Sequence, residues 1–218
     1  MTVHRPGLPQ DLPTPEVLWA RWSTVAVLKA TTDAEQNPPV HRTGCWIDDR
    51  GLHLDDCGST WWTLKPLGGD RFVLFGEDES SGVKWHELPI DMLAGAPDWL
   101  PHDELRELIA GNELGCVYWS ENGCWARAPY PASLDDDGLD CGLSRFVNED
   151  ELLRELDGEA VLGEGRTELV RRAERYELTP ELLETLVRNP GGEPADLPAM
   201  LRALRRSGLS HGSPQPAV

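Results

Sequence analysis

Cysteine and histidine could supply the most specific chemistry a sequence can announce, a closed metal site, and here their spacing does not deliver one. Structural zinc takes close pairs such as Cys-x-x-Cys, whereas the cysteines stand apart at Cys45, Cys57, Cys116, Cys124 and Cys141. Cys45, Cys57 and His53 around one hairpin could meet Cys116 and Cys124 from another only by a fortunate fold. No metal is expected, and buried thiols acting as small hydrophobes are the reading that fits. The run Ser133-Leu134-Asp135-Asp136-Asp137-Gly138-Leu139-Asp140 crowds carboxylates around a glycine, as calcium loops do. In that register Ser133 and Ser144 fall where the first acidic ligand and the closing glutamate belong, so a solvated turn is expected.

Glu77, Asp78 and Glu79, followed by His86, form the other titratable cluster. Crowded carboxylates raise one another's pKa and can divide acid and base roles. With the Asp135–Asp140 loop and stacking tryptophans they support one reading, an enzyme on a small or carbohydrate-like substrate that uses paired carboxylates. No nucleophile elbow, phosphate loop, dinucleotide glycine fingerprint or zinc-protease helix accompanies them. No cofactor is expected, and the balance leans away from catalysis.

Tryptophan is the unusual residue, with 9 against 3 phenylalanines and 3 tyrosines. Trp46, Trp62, Trp119 and Trp125 suit a sheet–helix core in which each indole N–H finds an acceptor. Adjacent Trp61 and Trp62 must point to opposite faces if they share a strand, which leaves one free to join Trp85 and Trp99 in a recognition patch. Trp61, Trp62 and Trp85, with Asp78 and Glu79, are therefore the candidate partner-binding residues, because tryptophan is enriched at binding hot spots.

Charge says what such a patch would meet. The chain carries 20 Lys+Arg against 38 Asp+Glu, a formal charge of −18. Its field repels phosphate backbones and anionic membranes, so neither nucleic acid nor membrane is an expected partner. Residues 1–158 hold 12 basic and 29 acidic residues, a balance of −17, and the remainder is nearly neutral. The leading expectation is thus an acidic protein-binding module with a basic protein partner, in the manner of an immunity or antitoxin-like inhibitor. The absence of a long apolar run or leader pattern, and the odd cysteine count, point to a cytoplasmic address.

These residues need a frame. Residues 1–13 read as an extended arm. Thr14 and Pro15 open a short helix through Trp19 and Trp22, and the β-branched run from Thr24 to Thr31 reads as a strand. Between Val40 and Glu87 the pattern predicts an antiparallel meander: 45–47 and 52–54 around Asp49-Arg50-Gly51, then 61–64 and 71–75 around Gly68-Gly69. The run 71–75 is apolar on both faces and should be the central strand, buried on both sides. Val83-Lys84-Trp85 reads as a further strand. A helix opens at Pro101 and ends at Gly111, and a hairpin pairs 116–119 with 124–127 around Glu121-Asn122-Gly123. A long acidic loop follows over 129–142, then a helix capped by Asn148. Leucine-periodic helices follow within 159–207, which read as a helical segment separable from an α+β domain at 14–158 and able to self-associate. Residues 208–218 read as a disordered tail. Strands first and helices last predict an α+β fold, an antiparallel sheet with helices packed on one face and a helical C-terminal segment.

Overall fold

The computed structural model describes residues 3–37, 42–158, 165–187 and 195–210, and its fold is α+β. Six strands form one antiparallel meander in sequence order: β1 (Gly44–Asp48), β2 (Gly51–Asp55), β3 (Thr60–Gly68), β4 (Arg71–Asp78), β5 (Cys116–Glu121) and β6 (Cys124–Arg127). Each hairpin signal produced a hairpin, since the turn residues supply the backbone the loop requires: Asn122 and Gly123 both take positive φ, at 54° and 77°.

As its two-sided apolar pattern predicts, β4 is buried on both faces. Phe72 and Leu74 point with Trp62 and Leu64 into a larger core, and Val73 and Phe75 point with Val117 and Trp119 into a smaller one. Helices α1 (Pro15–Leu28), α4 (Asp140–Val147), α5 (Glu149–Glu155), α6 (Arg166–Glu174), α7 (Pro180–Val187) and α8 (Leu197–Ser207) contribute to the first core. Helix α3 (His102–Ala110) and the connections 79–101 and 128–134 cover part of the second face. Gly76 permits the close strand contact at the centre, because a Cβ there would lie 2.1 Å from the Trp61 carbonyl oxygen.

Several elements differ from expectation. The run from Thr24 is no strand: α1 continues to Leu28, and every residue from Trp22 to Leu28 is buried. Packing all round outweighs β propensity, and Thr24 Oγ1 donates to the Ala20 carbonyl within the helix. Residues 83–85 form a turn, with Gly82 N–H held by the Asp136 carbonyl and Trp85 N–H by the Gly82 carbonyl. The acidic loop runs into α4, whose first turn at Asp140 is broken by non-helical Cys141 and Gly142, so the regular helix runs from Leu143. Asn148 caps α5, its side chain accepting from Asp150 N–H.

The arm at residues 3–13 is packed down. Val3 and Leu12 are buried, a 3-10 turn spans Pro9–Asp11, and the Gly7 carbonyl accepts from Tyr118 Oη and Arg127 Nε. The boundary placed near residue 158 is crossed by a shared core: Leu169, Leu183, Met200 and Leu204 lie in the same cluster as Trp19, Trp22 and Trp62. Trp19 Nε1 donates to the Ser207 carbonyl at 2.8 Å. Of the expected tail, Gly208 ends α8 in the left-handed conformation and Leu209 is fully buried. Residues 211–218, like the opening 159–164 of the helical segment, lie outside the described residues.

Candidate functional site

Strand alternation decides the fate of the tryptophan pair. Trp62 faces the larger core, fully buried, and its Nε1 donates to the Cys141 carbonyl at 2.9 Å. It is an internal fixture, not a contact for a partner. Trp61 faces the second core, half-buried, edge-on to Phe75 with ring centroids 6.1 Å apart. Opposite Trp61 across the β3–β4 ladder stands Glu77, which pairs with Lys84, and Lys84 in turn lies over the Trp85 ring. A chain of contacts therefore runs from the open edge of the sheet's second face to the 79–101 connection.

That connection carries the exposed apolar residues. Trp85 and Leu88 are each 72% exposed, the only large hydrophobic residues so exposed among those described. The loop is nevertheless fixed. His86 joins the Leu88 carbonyl through Nδ1 and Ser133 Oγ through Nε2, and Val83 is buried beneath it. Glu79, Glu87, Asp91 and Asp135 are exposed around it, and none enters an ion pair among the described residues. The patch is thus two apolar side chains on a held loop among unneutralised carboxylates.

Asp78 and Glu79 separate as sharply as the tryptophans do. Asp78 is 5% exposed and accepts from Thr60 Oγ1 and Ser80 N–H. Burial alone would raise its pKa, but these hydrogen bonds hold it below the usual carboxylate range. It closes the end of the sheet and offers nothing to a partner, while Glu79 stays at the surface. The carboxylates read as acid–base pairs are drawn off individually: Glu77 by Lys84, Asp136 and Asp140 by Arg5, and buried Asp137 by Gly7 N–H and Tyr118 Oη.

Beside Trp61, where α3 stops short of β1 and β2, a groove of 280 Å³ opens between Trp46, His53, Thr63, Lys65, Glu104 and Leu108. Trp46, His53 and Thr63 are neighbours across β1, β2 and β3. His53 stacks on Trp46 and links Asp48 Oδ1 at 3.0 Å to Thr63 Oγ1 at 3.1 Å. Sequence reasoning passed over Asp48 and Thr63; the alternation His53, then Thr63 ten residues later across a hairpin, was the signal available. Residues considered as metal ligands are scattered: Cys45 faces the larger core, His53 the second face, and Cys116 and Cys124 lie at opposite ends of β5–β6. No cluster of three potential ligands occurs among the described residues, and no described helix is long and apolar enough to cross a membrane.

Compared with known proteins, the chain matches no family model, no curated protein and no solved structure.

Proposed function

We propose that this protein is an acidic binding module that docks a basic protein partner at the corner of its second face, with Trp85 and Leu88 as apolar anchors. The observation that carries this reading is their 72% exposure on a held loop among free carboxylates. An indole presented to water on a fixed backbone gives large contact area at little cost in ordering. Glu79, Glu87, Asp91 and Asp135 raise the encounter rate with a cationic surface, while burial of Trp85 slows departure.

The two contributions separate in surface-binding kinetics with the partner recovered from the native host. Trp85→Ala should raise the off-rate, weakening binding by about 2 kcal/mol or more, and leave the melting temperature unchanged. Added salt should lower the on-rate, as the Debye length shrinks from about 10 Å at 0.1 M to about 3 Å at 1 M. An acidic partner, or unchanged affinity in both Trp85→Ala and Leu88→Ala, would sink the proposal.

One observation favours a second reading, an enzyme on a small substrate. The Asp48–His53–Thr63 chain has the order in which a carboxylate orients an imidazole that activates a hydroxyl, and it lines an aromatic-walled groove. Thr63 is only 7% exposed, so its oxygen has little room to attack. Turnover of a substrate lost in both His53→Ala and Thr63→Val, with folding retained, would put this reading first.

A further inference from the structure

The chain gathers four of its 20 basic side chains around one cleft. Arg42, Arg50, Arg202 and Arg206, with Glu35, Asp48 and Asp49, surround a space of 680 Å³ between α2 (Thr32–Gln36), α8 and the β1–β2 hairpin. In a protein of charge −18 this is a local reversal of sign.

Part of the cluster is structural. Arg202 donates to Glu35 Oε2 at 2.7 Å and to Thr32 Oγ1 at 3.1 Å, clamping α8 to α2. Glu35 is thereby engaged, and Arg206 approaches it only at 3.4 Å and Asp49 at 3.9 Å. Asp49 is 94% exposed, so its hold on Arg206 is screened. Arg42 is different again. Its Nε and Nη2 donate to the carbonyls of Asn37 at 2.9 Å and Glu35 at 2.7 Å. Carbonyls orient a guanidinium without neutralising it, and Arg42 enters no ion pair among the described residues; nor does Arg50.

Two guanidinium groups outside any ion pair among those described, Arg42 after α2 and Arg50 on the hairpin, thus line the cleft with Arg206 of α8, which Glu35 and Asp49 approach only at 3.4 and 3.9 Å. A planar carboxylate is satisfied by one arginine fork, whereas a tetrahedral oxyanion presents oxygens to several donors at once. We infer that this cleft binds a small molecule through a phosphate or pyrophosphate group. The volume lies in the range of small-molecule sites. A phosphate polymer would still meet the repulsion of the whole surface, but a small anion inside the cleft feels mainly charges within a Debye length, about 8 Å at physiological salt.

The test is calorimetric titration of the full chain with inorganic pyrophosphate at constant ionic strength, with potassium chloride and citrate as parallel titrants. Saturable pyrophosphate binding is expected, weakened at least about tenfold in Arg42→Ala and in Arg50→Ala, the change one charge-assisted hydrogen bond carries. Arg171→Ala, an exposed arginine on α6, should bind as wild type. Arg42→Lys keeps the charge but loses the fork and covers the case in which the alanine variant unfolds; it should weaken binding as well. Binding that chloride reproduces, that citrate alone shows, or that survives both Arg42→Lys and Arg50→Ala would overturn the assignment.

Discussion

Leu204→Ala tests whether the C-terminal helices belong to the same cooperative unit as the sheet. Leu204 is fully buried on α8 in the cluster that holds Trp19, Trp22 and Trp62. Truncating a buried leucine costs about 2–5 kcal/mol, because the cavity left behind adds to the lost transfer energy. For a chain of this length each kcal/mol moves the melting temperature by about 2–4 °C, so a loss of ~3 kcal/mol predicts a drop of about 6–12 °C. The assay is a melt followed by far-ultraviolet circular dichroism, which reports the helices, and by indole fluorescence, to which Trp19, Trp22 and Trp62 of the shared core contribute. Both probes should shift together in one transition. Two transitions, or a fluorescence midpoint that stays in place while helix signal is lost early, would refute the shared core and restore a separable C-terminal segment. Truncation after Gly158 gives the companion result: it removes the Ser207 carbonyl from Trp19 Nε1 and uncovers α1, so the fragment should bind a hydrophobic dye and lack a cooperative melt.

Burial would raise the pKa of Asp48, but hydrogen bonds from His53 and Arg50 N–H bring it down to about 2. A depressed carboxylate contributes stability that is fully present above its unfolded value of about 4 and fades as pH falls toward 2. Urea midpoints of wild type and Asp48→Asn should therefore differ most near neutrality and converge at low pH; a gap independent of pH contradicts this. Asp137→Ala leaves buried Gly7 N–H without the acceptor it now uses at 2.8 Å, at about 1–3 kcal/mol, while Tyr118 Oη keeps the Gly7 carbonyl at 2.7 Å. A denaturation midpoint equal to that of Trp85→Ala would contradict it. Of the thiols, exposed Cys57 and Cys124 should react promptly with a chromogenic disulfide, whereas burial pushes Cys45 up to about 12 and Cys141 up to about 11 and holds Cys116 well above the usual thiol range. Rapid reaction of all five in the native protein would show the core to be looser than described.

What the sequence made legible was local. The hairpins of the sheet carry their own turn residues, so the strand pairs they join needed no knowledge of the rest, and the opposite orientation of Trp61 and Trp62 followed from strand alternation. What it concealed depends on distant partners. The β-branched half of α1 is helical because core surrounds it, and Trp85 is exposed because Gly82 and Asp136 bend the chain away from a strand. The arginine cleft draws Arg42 and Arg50 together with Arg202 and Arg206, side chains that no window on the sequence would join.

The charge discontinuity near residue 158 shows why such readings need the fold. An acidic part followed by a near-neutral one resembles two units, and the glycines at 163 and 165 strengthen that impression. In the structure the difference is complementarity across one interface. Glu35 holds Arg202 and Arg206, and Glu174 on α6 takes Arg21 of α1. Charges of both signs on the C-terminal helices are thus matched to opposite charges of the earlier part. Around Trp85, Glu79, Glu87, Asp91 and Asp135 are exposed and enter no ion pair among the described residues. One charge pattern thus serves two ends, joining the helices to the core on one face of the sheet and leaving an unpaired acidic surface on the other.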